Sequence, residues 1–245
     1  MINIVHKADC CGCGACAQRC PKGCITMVED EQGFRYPKVD LDTCIDCHLC
    51  ERVCPVLNQS EPRKPVAVYA AKNLNDDERI HSSSGGIFIA LAKQVIADGG
   101  VVFGARFDDN WEVCHAYADT IEGVRAFMGS KYVQSRIGDT YRQAEEFLKA
   151  GRRVMFTGTP CQLAGLRLFL RKYYGEQLLK VDVVCHGTPS PRVWRDYLKH
   201  ITRPQGAAKN TDSQPKLNNN KIPVITGISF RDKRISWEKF GFTAV

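Results

Sequence analysis

At 245 residues, 44% apolar and 25% charged, the chain has the make-up of an ordinary globular protein, with room for a small module and one larger domain. No apolar run approaches the length of a membrane span, and nothing at the start reads as a secretory signal. Thirteen cysteines in such a chain suit a reducing compartment, so the expected location is the cytoplasm.

The first 60 residues are organised by a cysteine spelling that occurs twice. Cys10-x-x-Cys13-x-x-Cys16-x-x-x-Cys20-Pro21 returns as Cys44-x-x-Cys47-x-x-Cys50-x-x-x-Cys54-Pro55. This is the bacterial run for [4Fe–4S] ligation, and two copies predict two clusters. Three cysteines at two-residue intervals on a tight loop cap three irons of one cubane. The fourth, followed by proline, faces away and reaches the other cluster. Cluster one is therefore expected on Cys10, Cys13, Cys16 and Cys54, and cluster two on Cys44, Cys47, Cys50 and Cys20. A zinc site would want two C-x-x-C pairs with a longer gap, and would leave the Cys-Pro pieces unexplained. Disulfides would need an oxidising compartment. Cys11 and Cys24 fall outside the spacing and are expected as small buried side chains near the clusters.

The net charge of +7 invites a nucleic-acid reading, but that tally takes cysteine as neutral. Each oxidised cluster with its four thiolates carries −2, which brings the loaded chain to about +3. Lys and Arg are also dispersed rather than gathered in a dense tract. An acidic partner or an anionic cofactor is expected, and no nucleic acid.

Between the two runs, residues 25–28 and 34–39 read as strands around an Asp30-Glu31-Gln32-Gly33 turn. Residues 60–65, with Pro62 and Pro65, form a linker between a module at 1–60 and a second domain at 66–245. That domain is expected to open with a strand at 66–71. Ser82-Ser83-Ser84-Gly85-Gly86 then precedes a mostly apolar helix at 87–96. Serine caps the helix and glycine lets the backbone approach a ligand, so its N-terminus suits a phosphate, although many such starts are only caps.

Residues 101–107 and 113–118 read as strands paired across Asp108-Asp109-Asn110, followed by a short helix at 120–128. The loop Gly129-Ser130-Lys131-Tyr132-Val133-Gln134 carries a cation, a phenol and an amide. Asp139 caps a helix to about Ala150, with Tyr141, Ala144, Phe147 and Leu148 on one face. A buried strand at 153–156 runs into Thr157-Gly158-Thr159-Pro160-Cys161-Gln162 and a helix at 163–173. Strand, glycine-containing loop and helix place a ligand at strand ends in open α/β sheets, and Pro160 suits a first helical turn.

The strand at 178–184 repeats that design, ending in Cys185-His186-Gly187-Thr188-Pro189-Ser190 before a helix bearing Val193, Trp194, Tyr197 and Leu198. Residues 205–221 read as an exposed or disordered polar loop, and 225–231 as a strand. The chain stops just after Phe240-Gly241-Phe242, which reads as short of a finished domain.

No G-x-G-x-x-G follows a strand, so a Rossmann dinucleotide site is not indicated. The two cysteine runs, Ser83-Ser84-Gly85-Gly86, Ser130-Lys131-Tyr132-Val133-Gln134, Gly158-Thr159-Pro160-Cys161-Gln162 and Cys185-His186-Gly187-Thr188-Pro189-Ser190 occur in that order. Together they resemble the beta-subunit family of coenzyme F420 hydrogenases and dehydrogenases. Ser229-Phe230-Arg231-Asp232-Lys233 is similar to the family's later segment, after which much of the usual C-terminal part is missing.

The resemblance implies an α+β or α/β protein, with a bacterial-ferredoxin-like two-cluster module ahead of an α/β flavin-binding domain. It implies two [4Fe–4S] clusters and FAD, which together convert single electrons into hydride exchange with a second substrate. In archaeal members that substrate is coenzyme F420. A redox partner protein, or a hydrogenase- or dehydrogenase-type subunit, is implied as well.

On this resemblance Ser83, Ser84, Gly85 and Gly86 take the FAD pyrophosphate through backbone N–H groups. Ser130, Lys131, Tyr132 and Gln134 join the cofactor site, with Lys131 neutralising phosphate or reduced flavin. Thr157, Gly158, Thr159, Pro160, Cys161 and Gln162 border the isoalloxazine or ribityl chain. Lys131 and His186 are the catalytic candidates, against the plainer readings of a solvated lysine and a capping histidine. The rival function is a two-cluster electron carrier whose second domain only docks a partner enzyme. A third reading is a folded cluster module on an unstable remainder.

Overall fold

The computed structural model describes residues 1–203, 224–233, 239 and 241–245. In the cysteine module each run makes a loop and then a short helix. α1 (Ala15–Arg19) starts after Gly14 at φ +70°, and α2 (Leu49–Arg52) after His48 at φ +58°. The left-handed residue turns the chain sharply enough to place Cys16 and Cys50 on the helices. Between them β1 (Ile25–Glu29) and β2 (Arg35–Val39) pair antiparallel, Ile25 opposite Val39, as the alternation predicts. Asp30 folds the turn by accepting from the N–H groups of Gln32 and Phe34, each at 3.0 Å.

The expected strand at 66–71 is absent. Those residues lie in no strand and leave Val66, Val68 and Tyr69 exposed. Strand propensity measures how well a side chain fits a half-buried pleated surface, and no described strand pairs with this stretch.

The rest of the chain builds α3 (Asp76–Ile80), α4 (Ile87–Ala97), β3 (Val101–Phe107), β4 (Val113–Ala118), α5 (Ile121–Arg125) and α6 (Thr140–Lys149). Then come β5 (Val154–Gly158), α7 (Pro160–Leu170), β6 (Leu178–Asp182), α8 (Pro191–Ile201), β7 (Ile228–Asp232) and β8 (Gly241–Ala244). The helix expected from residue 163 therefore begins at Pro160 and ends three residues early, at an Arg171 with φ +52°. The polar stretch 205–221 and Phe240 lie outside the described residues.

The main sheet runs β4-β3-β5-β6, with β3 antiparallel to β4 and parallel to β5, and β5 parallel to β6. Its central strands are covered on both faces, hence their continuous apolar runs. Val101, Phe103, Val154 and Phe156 face α6 and α7, where Tyr141, Ala144, Leu166 and Phe169 are buried. Val102 and Met155 point the other way, into Ile89, Ala92 and Val95 of α4 and Val124 of α5. Burying each of these large side chains contributes roughly 1.5–3 kcal/mol.

The cysteine module does not hang on a linker. Cys13, Ala15 and Val53 belong to the same core as Tyr141 and Phe169. Gln18 of α1 reaches the start of α6, where its Oε1 accepts from the N–H groups of Tyr141 (3.0 Å) and Arg142 (3.3 Å). It thus caps a helix whose expected cap, Asp139, makes no side-chain capping bond. On the other side Ser190 caps α8 and donates to the carbonyl of Gln32 at 2.6 Å. Arg195 of α8 pairs with Glu29 of the hairpin and with Glu112. Trp194, Tyr197, Phe107, Phe230 and Phe242 stack around α8 and hold β7 and β8 against it.

Candidate cofactor sites

The eight cysteines fall into two groups. Cys10, Cys13, Cys16 and Cys54 line one small cavity, with Ile2, Ile4 and Met27 as apolar walls. Cys20, Cys44, Cys47 and Cys50 line another, beside Ile25 and Ile45. Each run thus sends its fourth cysteine to the cavity of the other. Four thiols within apolar walls are a donor set suited to an iron–sulfur cubane. Backbone N–H groups already point at sulfur, from Ile2 to Cys50 (3.1 Å) and from Gly12 to Cys10 (3.5 Å). Cys24 lies 3.2 Å from Cys20 in the second cavity, and Cys11 stands on the rim of the first.

A larger cavity of about 540 Å³ opens where β5 and β6 end, within the usual size of a cofactor pocket. It brings together Ser83, Ser84, Gly85, Gly86, Ser130, Lys131, Gln134, Thr157, Gly158, Thr159, Cys161 and Gln162. Tyr132, Pro160 and His186 stand outside it. Tyr132 turns its ring edge-on to Phe230, with centroids 5.6 Å apart. Pro160 occupies the exposed first turn of α7, which leaves the next residue, Cys161, to face inward. His186 is exposed, while its neighbours Cys185 and Gly187 line the cavity.

The serine loop is pinned on both sides. Ser83 accepts from the N–H of Ser130, and Lys233 donates to the carbonyl of Ser82. Gly86 takes φ +76° as the residue before α4, and a Cβ there would sit 3.0 Å from the Cβ of Asn73. A side chain would be strained and crowded, so glycine alone fits well. The N-terminus of the 11-residue α4 opens on the cavity through Ile87 and Phe88.

Lys131 is no free point charge. Its Nζ donates to the carbonyls of Ala126 and Met128, both at 2.9 Å, just beyond α5. Burial pushes its ammonium down to about 7.

Along the cavity wall runs a hydrogen-bond chain whose direction can be deduced. The carbonyl of Thr157 can only accept, so His115 carries its proton on Nε2, at 3.0 Å. Its Nδ1 therefore accepts from the hydroxyl of Ser135 at 2.9 Å. Ser135 in turn accepts from Gln162 Nε2 at 2.9 Å, and Gln162 Oε1 accepts from the N–H of Thr159 at 2.9 Å. Burial is the main cause that pushes His115 down to about 4, so the ring is neutral near pH 7.

His115 and Ser135 are site residues that sequence reasoning missed. The available signal was an ionisable residue at an inward position of an alternating strand, beside buried Val113.

One residue joins the two sites. Cys11 lines both the first cysteine cavity and the larger cavity, and its thiol contacts that of Cys161. The fold and the paired cysteine sets define an iron–sulfur electron-transfer protein with an α/β domain built around a ligand cavity. Residues 9–58 match the 4Fe-4S dicluster domain, and residues 151–224 match the C-terminal part of the coenzyme F420 hydrogenase/dehydrogenase beta subunit. Over residues 151–224 the chain is thus similar to the coenzyme F420 hydrogenase/dehydrogenase beta-subunit family, behind a dicluster module.

It is 29% identical over 172 residues to the coenzyme F420-dependent sulfite reductase of Methanocaldococcus jannaschii, covering 67% of this chain and 26% of that protein. It is 40% identical over 52 residues to an uncharacterized ferredoxin of the same organism, covering 21% of this chain and 66% of the ferredoxin. A chain of the F420-reducing [NiFe] hydrogenase complex from Methanosarcina barkeri superposes with a TM-score of 0.46 at 18% identity, over 69% of this chain and 54% of that one. The chain thus spans about a quarter of the sulfite reductase and about half of the hydrogenase chain. No helix among the described residues is long and apolar enough to cross a membrane.

Proposed function

We propose that the chain is an iron–sulfur flavoprotein subunit that passes single electrons between two [4Fe–4S] clusters and an FAD in the larger cavity. The observation that carries this reading is Cys11, a wall common to the first cysteine cavity and to a cavity of about 540 Å³. A bound flavin exchanges electrons singly with the clusters and as a hydride with a second substrate, coenzyme F420 or another two-electron acceptor.

The chain's own residues position and shield. Cys10, Cys13, Cys16 and Cys54 hold cluster one, and Cys20, Cys44, Cys47 and Cys50 hold cluster two. The serine loop and the start of α4 offer backbone N–H groups to a pyrophosphate. Lys131, with its ammonium near 7, becomes fully charged where an anion sits beside it. Thr157, Gly158, Thr159 and Gln162 border the rings, held by the chain through Ser135 and His115. Tyr132, Pro160 and His186 have no place in this assignment. Cluster two, beside the exposed loop carrying Ile45, faces a partner redox protein in a reducing cytoplasm.

Anaerobic reconstitution with iron, sulfide and flavin quantified tests the reading. It expects two clusters and about one FAD per chain released on acid denaturation. Two clusters without FAD would instead favour the electron carrier whose second domain only docks a partner.

A further inference from the structure

A second large cavity, of about 380 Å³, lies on the other side of the wall made by Gly12, Gln134 and Ser135. It sits where the cysteine module meets the α/β domain, and both contribute to it. Three arginines from separate segments line it: Arg35 on β2, Arg136 beside β4 and Arg142 on α6. Arg142 is committed, its Nε donating to the carbonyl of Gln18 at 2.8 Å and its Nη1 lying 3.5 Å from Asp139. Arg136 has a 3.4 Å contact with Asp108. Arg35 makes no side-chain hydrogen bond or ion pair with any described residue.

The lining acids are already answered. Glu112 is paired with Arg195 at 3.2 Å, and Asp139 is exposed and shared with Arg142. The excess on this wall is positive.

Gln18 adds an independent sign. Its Oε1 accepts two backbone N–H groups at the start of α6, so the amide cannot be flipped. Its Nε2 is thereby left buried, on a side chain that lines the cavity, with two protons and no acceptor among the described residues. A buried donor without an acceptor costs about 1–3 kcal/mol, and native folds keep one where a ligand or water supplies the missing partner. A forked guanidinium next to amide donors suits a planar or tetrahedral oxyanion, and three arginines exclude a cation.

We propose that this cleft binds a small molecule through a carboxylate or phosphate group, held by Arg35 with Arg136 and the amide of Gln18. The proposal goes beyond the flavin reading and stands whatever fills the larger cavity.

Calorimetric titration of the reconstituted full chain with inorganic phosphate and, separately, with malonate tests it. Saturable binding of either anion is expected, and the tighter of the two names the group. Arg35→Gln should weaken it at least tenfold. Gln18→Glu keeps the oxygen that caps α6 and replaces the amide nitrogen with a second carboxylate oxygen, so it should abolish binding. Lys172→Met, exposed and outside both cavities, should leave it unchanged. Far-UV circular dichroism and cluster absorption check each variant, and Arg136→Gln takes the place of Gln18→Glu if the latter does not fold. No saturable binding of either anion, equal affinity in Arg35→Gln, or loss of binding in Lys172→Met would each overturn the proposal.

Discussion

The cysteine cavities and the larger cavity lie on two sides of Cys11 and are built by opposite means. In the module, all eight candidate ligands come from 45 consecutive residues, each set presented by a loop and a short helix. A metal–thiolate bond does the holding, and the surrounding Ile2, Ile4 and Met27 need only exclude water. The larger cavity draws on stretches around residues 83, 115, 131, 158 and 187. There each contact group is held by another hydrogen bond behind it, as Gln162 is by Ser135 and Ser135 by His115. One site should fail all at once, and the other by degrees.

Losing a thiolate should have the largest effect. Cys54→Ser is expected to remove cluster one, leaving roughly half the iron. Its low-temperature EPR spectrum should match that of Cys16→Ser, while Cys20→Ser should match Cys47→Ser. Spectra that pair Cys54→Ser with Cys47→Ser instead would refute the crossed ligation.

In the larger cavity His115 should show the graded behaviour. Its pKa of about 4 lies below the ordinary 6.5, so the unfolded chain takes up a proton first as pH falls. Stability from the neutral ring is complete above pH 6.5 and is lost as pH falls towards 4, by roughly 3 kcal/mol. His115→Gln should flatten that part of the stability profile measured by urea titration. Ring NMR signals already titrating at pH 6.5 would contradict the buried, neutral assignment.

Lys131 tests the flavin proposed for the same cavity. With an ammonium near 7, FAD affinity should fall as pH rises through that value. Lys131→Met should bind FAD about tenfold more weakly at pH 6 and without this pH dependence, checked by fluorescence titration. An unchanged affinity would remove Lys131 from the flavin site.

The joint between the two regions should respond more mildly. Gln18→Ala removes the oxygen that caps α6 and is expected to cost about 1–3 kcal/mol in urea unfolding. Ser190→Ala, which loses the α8 cap and the bond to Gln32, is expected to cost about 1 kcal/mol. If both variants unfolded only the module, leaving the α/β domain intact, the shared core would not couple the two.

The sequence by itself determined the cysteine sets, the hairpin between them, most helices and strands of the α/β domain, and the loops at Ser83, Ser130 and Thr157. These are local properties: thiol spacing, two- and three-to-four-residue periodicity, and cap or turn residues act over a few positions. The strand expected at 66–71 failed because strand formation needs a partner edge, which composition does not report. Tertiary structure alone decided that Cys11 stands between two cavities, that Gln18 caps a helix 123 residues away, and that His115 lies in the wall of the larger cavity. It also decided that Tyr132, Pro160 and His186 point elsewhere. The reason is physical: which side chain faces a cavity depends on how distant elements pack, and a neutral, buried histidine carries its meaning only through the carbonyl and hydroxyl that the fold brings to it.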